Sequence, residues 1–326
     1  MQQRNLGNSG LRVGEIGLGC WQFSSDFGPL EDRTAGEIMA AAVESGTTFF
    51  DTADVYGSGR SEQLIGAFLR RSGKPVHVAT KFGRAGGVYP DGYTRLALRQ
   101  GTEASLRRLG VDTLDLLQLH CIPLKVMQAG EIFDWLRELK QEGKLRAFGT
   151  SVETVEEAQV CLRQDGLASL QIIFNLFRQK PIAELFPEAQ RRGVGLIVRL
   201  PLASGLLAGK YTQATRFAES DHRNYNRDGQ AFNVGETFAG LPFARGVELA
   251  DGLKPLVPAG MSLAQMAVRW ILDFTAVSVI IPGATSPAQA RTNAAAADLP
   301  PLSPELHQRL ADYYQAQVHA AIRGPY

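Results

Sequence analysis

Four side chains in this sequence could together hold and move a proton. Asp51 ends the run FFD, Tyr56 follows five positions later, and Gly57 and Gly59 then lead into a helix start within FFDTADVYGSGRSE, residues 49 to 62. Lys81 closes the apolar run from Val76 to Thr80, and His120 closes the run from Leu114 to Leu119 just before a turn at Pro123. If each run is a parallel strand, a carboxylate, a phenol, an ammonium and an imidazole gather on one rim at the strands' carboxyl ends, where α/β enzymes keep their chemistry.

The elements that must position them alternate regularly. Short β-rich runs fall near 15–20, 48–52, 76–81, 114–120, 145–151, 170–175, 195–200 and 277–282, eight in all, with helical patterns between them. Thr34 with Glu37, Thr154 with Glu157, Ser262 with Gln265 and Ser286 with Gln289 have capping-box spacing, in which each side chain satisfies the other's free backbone amide. Ile132, Phe133, Leu136 and Leu139 share one helical face that should pack outside the sheet. Leu6, Leu11 and Val13 flank the turn cluster Asn8, Ser9, Gly10, which predicts an amino-terminal hairpin.

Eight strand-and-helix units in one chain fit a (β/α)8 TIM barrel, read here as a single domain over residues 1–326. The open doubly wound alternative lacks its motif. GSGRSE at 57–62 has no third glycine, and the position about twenty residues on is Lys81 rather than an acid. One connection is long: between Gly209 and Leu241, after the seventh strand, the chain is polar and is expected to be a structureless loop over a ligand.

Composition narrows the partners. The 326 residues carry 34 lysines and arginines against 33 acids, so no excess field recruits nucleic acid or an anionic membrane. Cys20, Cys121 and Cys161 are odd in number with no close pair, which suits a reducing compartment. No apolar run approaches the roughly 18 residues needed to span a bilayer, and MQQRNLGNSG lacks the regions of a secretion signal. A cytoplasmic protein acting on a small molecule is expected.

DTADVYG, ATKFG and LLQLH resemble the motifs that carry the catalytic tetrad of the aldo-keto reductases, and the similarity runs from residue 4 to about residue 300. The resemblance implies a barrel closed at its bottom by the hairpin, and hydride transfer between a nicotinamide and an aldehyde or ketone, or the corresponding alcohol or sugar. Hydride delivery leaves negative charge on the carbonyl oxygen, which a proton donor must neutralise. Tyr56 is the implied acid. A tyrosine's ordinary pKa of about 10 is high for this task, and a nearby ammonium lowers it; Lys81 would do so, held charged by Asp51, while His120 orients the carbonyl.

Further segments carry the implied cofactor contacts. GTSVET and SLQIIFNL resemble the family's carboxamide-binding segments, which points to Ser151 and Gln171. RLPLASGLLAGK resembles the loop along the ring and pyrophosphate, where Arg199, Leu202, Ser204, Gly205 and Lys210 would contribute. VIIPGATSPAQARTN resembles the adenosine-phosphate segment, with Gly283, Gln289, Asn293 and the cap Ser286 ahead of Pro287.

The chain departs from the pattern at four positions. Val152 stands where part of the family has asparagine, and Arg199 where some members stack a tyrosine, a task a planar guanidinium can also perform. Gly283 and Gln289 stand where many NADPH-dependent members carry a lysine and an arginine, so Arg291 or an arginine of the long loop would replace the charge. NADP(H) is preferred, with NAD(H) as the alternative.

Trp21, Phe23 and Tyr89 are expected to wall a substrate pocket, and no metal is expected because His120 and Cys121 lack a spaced third ligand. Taken singly, each tetrad residue has a structural reading as a turn cap, a packing aromatic or a hydrogen-bonded core residue. Two other functions compete: an aldolase forming a Schiff base on Lys81, and a non-catalytic, nucleotide-binding subunit that senses redox state.

Overall fold

A computed structural model describes residues 1–24 and 26–326. The chain opens on strands β1 (Gln3–Asn5) and β2 (Arg12–Gly14), an antiparallel hairpin. Eight parallel strands follow: β3 (Leu18–Gly19), β4 (Phe49–Asp51), β5 (His77–Phe82), β6 (Leu114–His120), β7 (Leu145–Ser151), β8 (Leu167–Ile173), β9 (Gly195–Arg199) and β10 (Val277–Ile280). Each pairs with its neighbour in sequence. The ends meet through the bridges Ile16 to Ile280 and Gly19 to Gly283, with Gly17 N donating to the Ile280 carbonyl at 2.8 Å. The sheet is thus a (β/α)8 barrel, with helices packed around it.

Strand periodicity sorts the interior into layers. Side chains alternate across a strand, so Phe49 and Asp51, Ala79 and Lys81, Leu116, Gln118 and His120, and Ala147 and Ser151 fall on the same inward sides. The lower members Phe49, Ala79, Leu116 and Ala147 form one apolar cluster with Leu6, Leu11 and Val13 of the hairpin. The hairpin therefore plugs the bottom, and polar groups are left for the top. Gly7 makes this seating possible: at φ +53, a Cβ there would lie 2.3 Å from Gly195 N. Arg4 ties the plug to the Leu272 and Val277 carbonyls at 2.7 and 2.8 Å.

Several local expectations need adjustment. The first barrel strand reduces to Leu18–Gly19 because Ile16 and Gly17 only bridge to Ile280. The strand expected over 170–175 begins at Leu167, directly after a turn at Gly166 with φ +80, and Asn175 already turns back onto Arg178. Thr154 with Glu157 and Ser262 with Gln265 form full capping boxes. Thr34 does not cap, because its helix Asp32–Glu44 starts earlier and Glu37 bonds Arg33 at 2.9 Å. Ile132, Phe133, Leu136 and Leu139 are all buried on the helix Glu131–Gln141, as the periodicity predicts.

The long connection is built rather than structureless. It carries the short helical turns His222–Tyr225, Val234–Glu236 and Phe238–Gly240. Asn226 is fully buried; its side chain accepts from the amides of Ala231 and Phe232 at 3.0 and 2.9 Å and donates to Thr237 Oγ1 at 3.0 Å. A polar sequence conceals this order because the buried polar groups satisfy one another. No helix among the described residues is long and apolar enough to cross a membrane.

Candidate active site

Asp51, Lys81 and His120 arrive at the barrel's upper rim on β4, β5 and β6, and Tyr56 on the turn after β4. Lys81 Nζ donates to Asp51 Oδ2 at 2.6 Å, to the Thr52 carbonyl at 2.8 Å and to the Tyr56 hydroxyl at 3.2 Å. The His120 ring meets the Tyr56 ring edge-on, with centroids 5.8 Å apart. The structure thus brings together the four side chains that the sequence singled out.

Their electrostatics follow from burial and one ion pair. Burial by itself would lower Lys81, but Asp51 and then Tyr56 hold it above its ordinary value, so it is an ammonium. Burial pushes Tyr56 up to about 12, against the pull of Lys81. This reverses the expected net shift: the ammonium does favour the phenolate, but desolvation outweighs it. Burial, followed by Lys81, Arg84 and Arg199, lowers His120 well below the ordinary histidine value, so the imidazole is neutral near pH 7. Its Nδ1 is buried without a partner among the described residues.

Asp51 has further partners inside the barrel. Its Oδ1 accepts from Gln171 Nε2 at 2.7 Å and from Gln118 Nε2 at 3.1 Å, and Ser151 Oγ donates to Gln171 Oε1 at 3.4 Å. Gln118 was missed from the sequence, although a glutamine two positions before His120 on an apolar strand shares its inward side.

A cavity of about 1280 Å³ opens above these groups, with Asp51, Tyr56, His120, Ser151, Gln171 and Arg199 on its walls. Leu202, Ser204, Gly205 and Lys210 line it farther along, as do Gly283, Gln289 and Asn293. Ser286 does not line it; its side chain caps the helix Pro287–Ala295 by accepting from Gln289 N. Gln289 does not complete that box, since its Oε1 accepts from Thr285 N and Oγ1 at 2.7 and 2.9 Å. Gln22 Oε1 is buried on the same wall without a partner among the described residues. A Cβ on Gly283 would come within 2.1 Å of that amide. A cavity of this volume, with a buried acceptor on its wall that has no protein partner among the described residues, has room for a dinucleotide.

Trp21 and Tyr89 lie on the cavity wall, and Trp21 stacks on Tyr56 at 6.0 Å. Phe23 does not. It is fully buried in the apolar core at the end of the turn Trp21–Phe23, so it cannot face a substrate. Phe232 and Tyr225 of the long connection occupy the wall instead.

Arg199 is held on the cavity wall by several contacts. It pairs with Glu236 of the long connection and donates to the Val152 carbonyl at 2.9 Å. Arg84 pairs with Glu153 at 3.4 Å, and Glu153 accepts from Asn233 Nδ2 at 3.1 Å. Cys121, Glu153 and Glu236 bring ligand atoms within 4.8 Å of one another, but Arg199 Nη2 lies 3.7 Å from the Cys121 sulfur and Arg199 also pairs with Glu236. Glu236 and Glu153 had no local signal in sequence, because their partners Arg199, Arg84 and Asn233 come from distant segments.

Residues 15–315 match the family described as the aldo/keto reductase family. A protein of Oryza sativa described as a probable voltage-gated potassium channel subunit beta is 32% identical, over 97% of this chain and 98% of that protein. The aldo-keto reductase YhdN of Bacillus subtilis is 30% identical over 89% of this chain and 86% of its own length. Among solved structures, the glycerol dehydrogenase of Gluconobacter oxydans superposes with a TM-score of 0.80 at 27% identity, covering 99% of this chain and 98% of that one. The holo form of an aldo-keto reductase from Bacillus halodurans gives 0.78 at 26% identity, covering 100% and 98%.

Proposed function

The chain belongs to the aldo-keto reductase family, and from that premise we propose that residues 1–326 form one barrel unit that interconverts a carbonyl and an alcohol with a nicotinamide cofactor. A bound reduced nicotinamide supplies a hydride, two electrons and one hydrogen, to the carbonyl carbon. Tyr56 gives its hydroxyl proton to the carbonyl oxygen, the phenolate that remains is stabilised by Lys81, and water returns the proton. Neutral His120 donates a hydrogen bond to the same oxygen and orients it. A tyrosine near pKa 12 is still a competent acid here, because an alkoxide is far more basic than a phenolate and takes the proton downhill.

The observation that carries this reading is the Lys81 ammonium, 3.2 Å from the Tyr56 hydroxyl and 2.6 Å from Asp51, under the cavity. Ser151 and Gln171 would hold the carboxamide and Arg199 would lie against the ring. Leu202, Ser204, Gly205 and Lys210 would follow the pyrophosphate, and Gly283, Gln289 and Asn293 the adenosine, with Ser286 shaping the helix start. Trp21 and Tyr89 would wall the carbonyl substrate. The same ion pair speaks against the Schiff-base aldolase, since a charged lysine is a poor nucleophile.

We take NADP(H) as the preferred cofactor and NAD(H) as the competitor. Lys210 and, from the long connection, Arg223 are cations on the cavity wall, whereas Arg291 lies near Glu44 at 3.6 Å. Titrating NADPH and NADH separately against protein fluorescence tests both the site and the choice. Binding of NADPH about tenfold tighter, a difference of about 1.4 kcal/mol, supports the preference. Equal or reversed affinities assign NAD(H), and no binding of either removes the cofactor site.

A second reading has support in the 32% identity to the probable channel subunit over 97% of this chain: the barrel would hold the nucleotide as a redox-sensing subunit without net turnover. Steady-state turnover of a carbonyl substrate separates the two readings.

A further inference from the structure

The cavity wall beside the tetrad carries an ion pair that the mechanism above leaves unused. Arg199 and Glu236 are about equally buried, with side chains 11% and 12% exposed, and both line the cavity. Arg199 Nε is buried and without a partner among the described residues, so Glu236, the Val152 carbonyl and the weakly accepting Cys121 sulfur hold this guanidinium.

Glu236 is itself firmly placed. It ends the turn Val234–Glu236, which Asn233 caps by accepting from Gly235 N at 2.6 Å. Its own carbonyl accepts from Ser204 Oγ at 3.2 Å. Backbone contacts on both sides thus fix where the carboxylate projects. The long connection brings an acid to Arg199 at the end of β9.

Resting on the reading that the nicotinamide ring lies against Arg199, we propose that Glu236 masks the charge of Arg199 toward that ring. It would thereby set the balance between binding of the oxidised and reduced cofactor. The oxidised ring is cationic and the reduced ring is neutral, so a bare guanidinium repels the first and leaves the second almost untouched. A carboxylate paired with that guanidinium cancels most of the difference. Unit charges a few ångströms apart in a partly buried site shift an equilibrium constant by about tenfold or more, so the pair is strong enough to bias the direction in which the enzyme runs.

The test is a cofactor titration without carbonyl substrate, read by protein fluorescence, on the full chain and three variants. The quantity compared is the ratio of the oxidised to the reduced dissociation constant. Glu236→Gln unmasks the arginine and should raise this ratio about tenfold, equivalent to about 30 mV for a two-electron couple. Arg199→Gln leaves the carboxylate alone beside the ring and should lower the ratio. The double variant should return it close to the wild-type value.

If the wild type binds both cofactor forms and neither single variant changes the ratio, the masking role is overturned while the cofactor site stands. If the wild type binds neither form, the cofactor site falls and the inference falls with it. Should Glu236→Gln fail to fold, Arg199→Gln alone decides: a lowered ratio supports the proposal and an unchanged one rejects it.

Discussion

Lys81 bridges Asp51 and Tyr56 through one nitrogen, 2.6 Å from the carboxylate and 3.2 Å from the phenol. The ion pair is the anchor, and the proposed acid is held against it. Because the ammonium is buried with its counterion, its position cannot drift without breaking a charge-assisted bond.

Replacing the phenol tests the acid role. Tyr56→Phe should lower carbonyl reduction about a hundredfold to ten-thousandfold, the usual contribution of a positioned general acid. Cofactor affinity from fluorescence titration should hardly change. Retained turnover would remove Tyr56 from the mechanism.

Breaking the ion pair should affect the fold as well as the chemistry. Lys81→Met leaves the Asp51 carboxylate, 3% exposed, with amide donors but no cation. Urea unfolding should show a loss of about 3–5 kcal/mol, typical of a buried pair stripped of one partner. Adding Asp51→Asn should recover part of that stability without restoring turnover, which separates the structural role from the proton relay.

Acid should loosen the long connection. His222 is fully buried between Trp21 and Phe27, and burial pushes it down to about 4. The unfolded chain takes up this proton near pH ~6.5 and the folded chain does not. Stability from this group is therefore complete above that value and falls as pH drops toward 4. The loss should approach about 3 kcal/mol in urea midpoints followed from pH 7 to 4. His222→Phe should flatten that slope, and an unchanged slope would contradict the assignment.

Close packing inside the barrel makes another position sensitive. A Cβ on Gly149 would lie 2.2 Å from Ser169 Oγ and 2.7 Å from the Ser169 carbonyl. Gly149→Ala should cost about 1–3 kcal/mol by overpacking, visible as a lower unfolding midpoint.

The parts legible in sequence were those with local signatures. Apolar runs ending in Asp51, Lys81 and His120 fixed both the strands and the rim, because a period of two carries Phe49 to Asp51 and Ala79 to Lys81 on one side. The hairpin plug was legible for the same reason: Leu6, Leu11 and Val13 needed a buried surface, and the barrel bottom supplies it. What escaped depended on contacts between distant segments. Phe23 carries the same aromatic signal as Trp21, yet one turn of 3-10 geometry sends it into the core. The order of the 209–241 connection rests on Asn226 and on Glu236 meeting Arg199, partners no local pattern reveals. The net shift of Tyr56 also escaped, because burial depth is a tertiary quantity.

The central claim is that Tyr56, backed by Lys81, protonates a carbonyl oxygen during hydride transfer. The most direct measurement compares wild type and Tyr56→Phe in steady-state oxidation of the reduced cofactor against a panel of aldehydes and ketones. Carbonyl-dependent turnover in the wild type that collapses in the variant, with cofactor binding intact in both, is the predicted result. Equal rates in the two proteins would contradict the account, as would a wild type that binds cofactor and turns over no carbonyl at all.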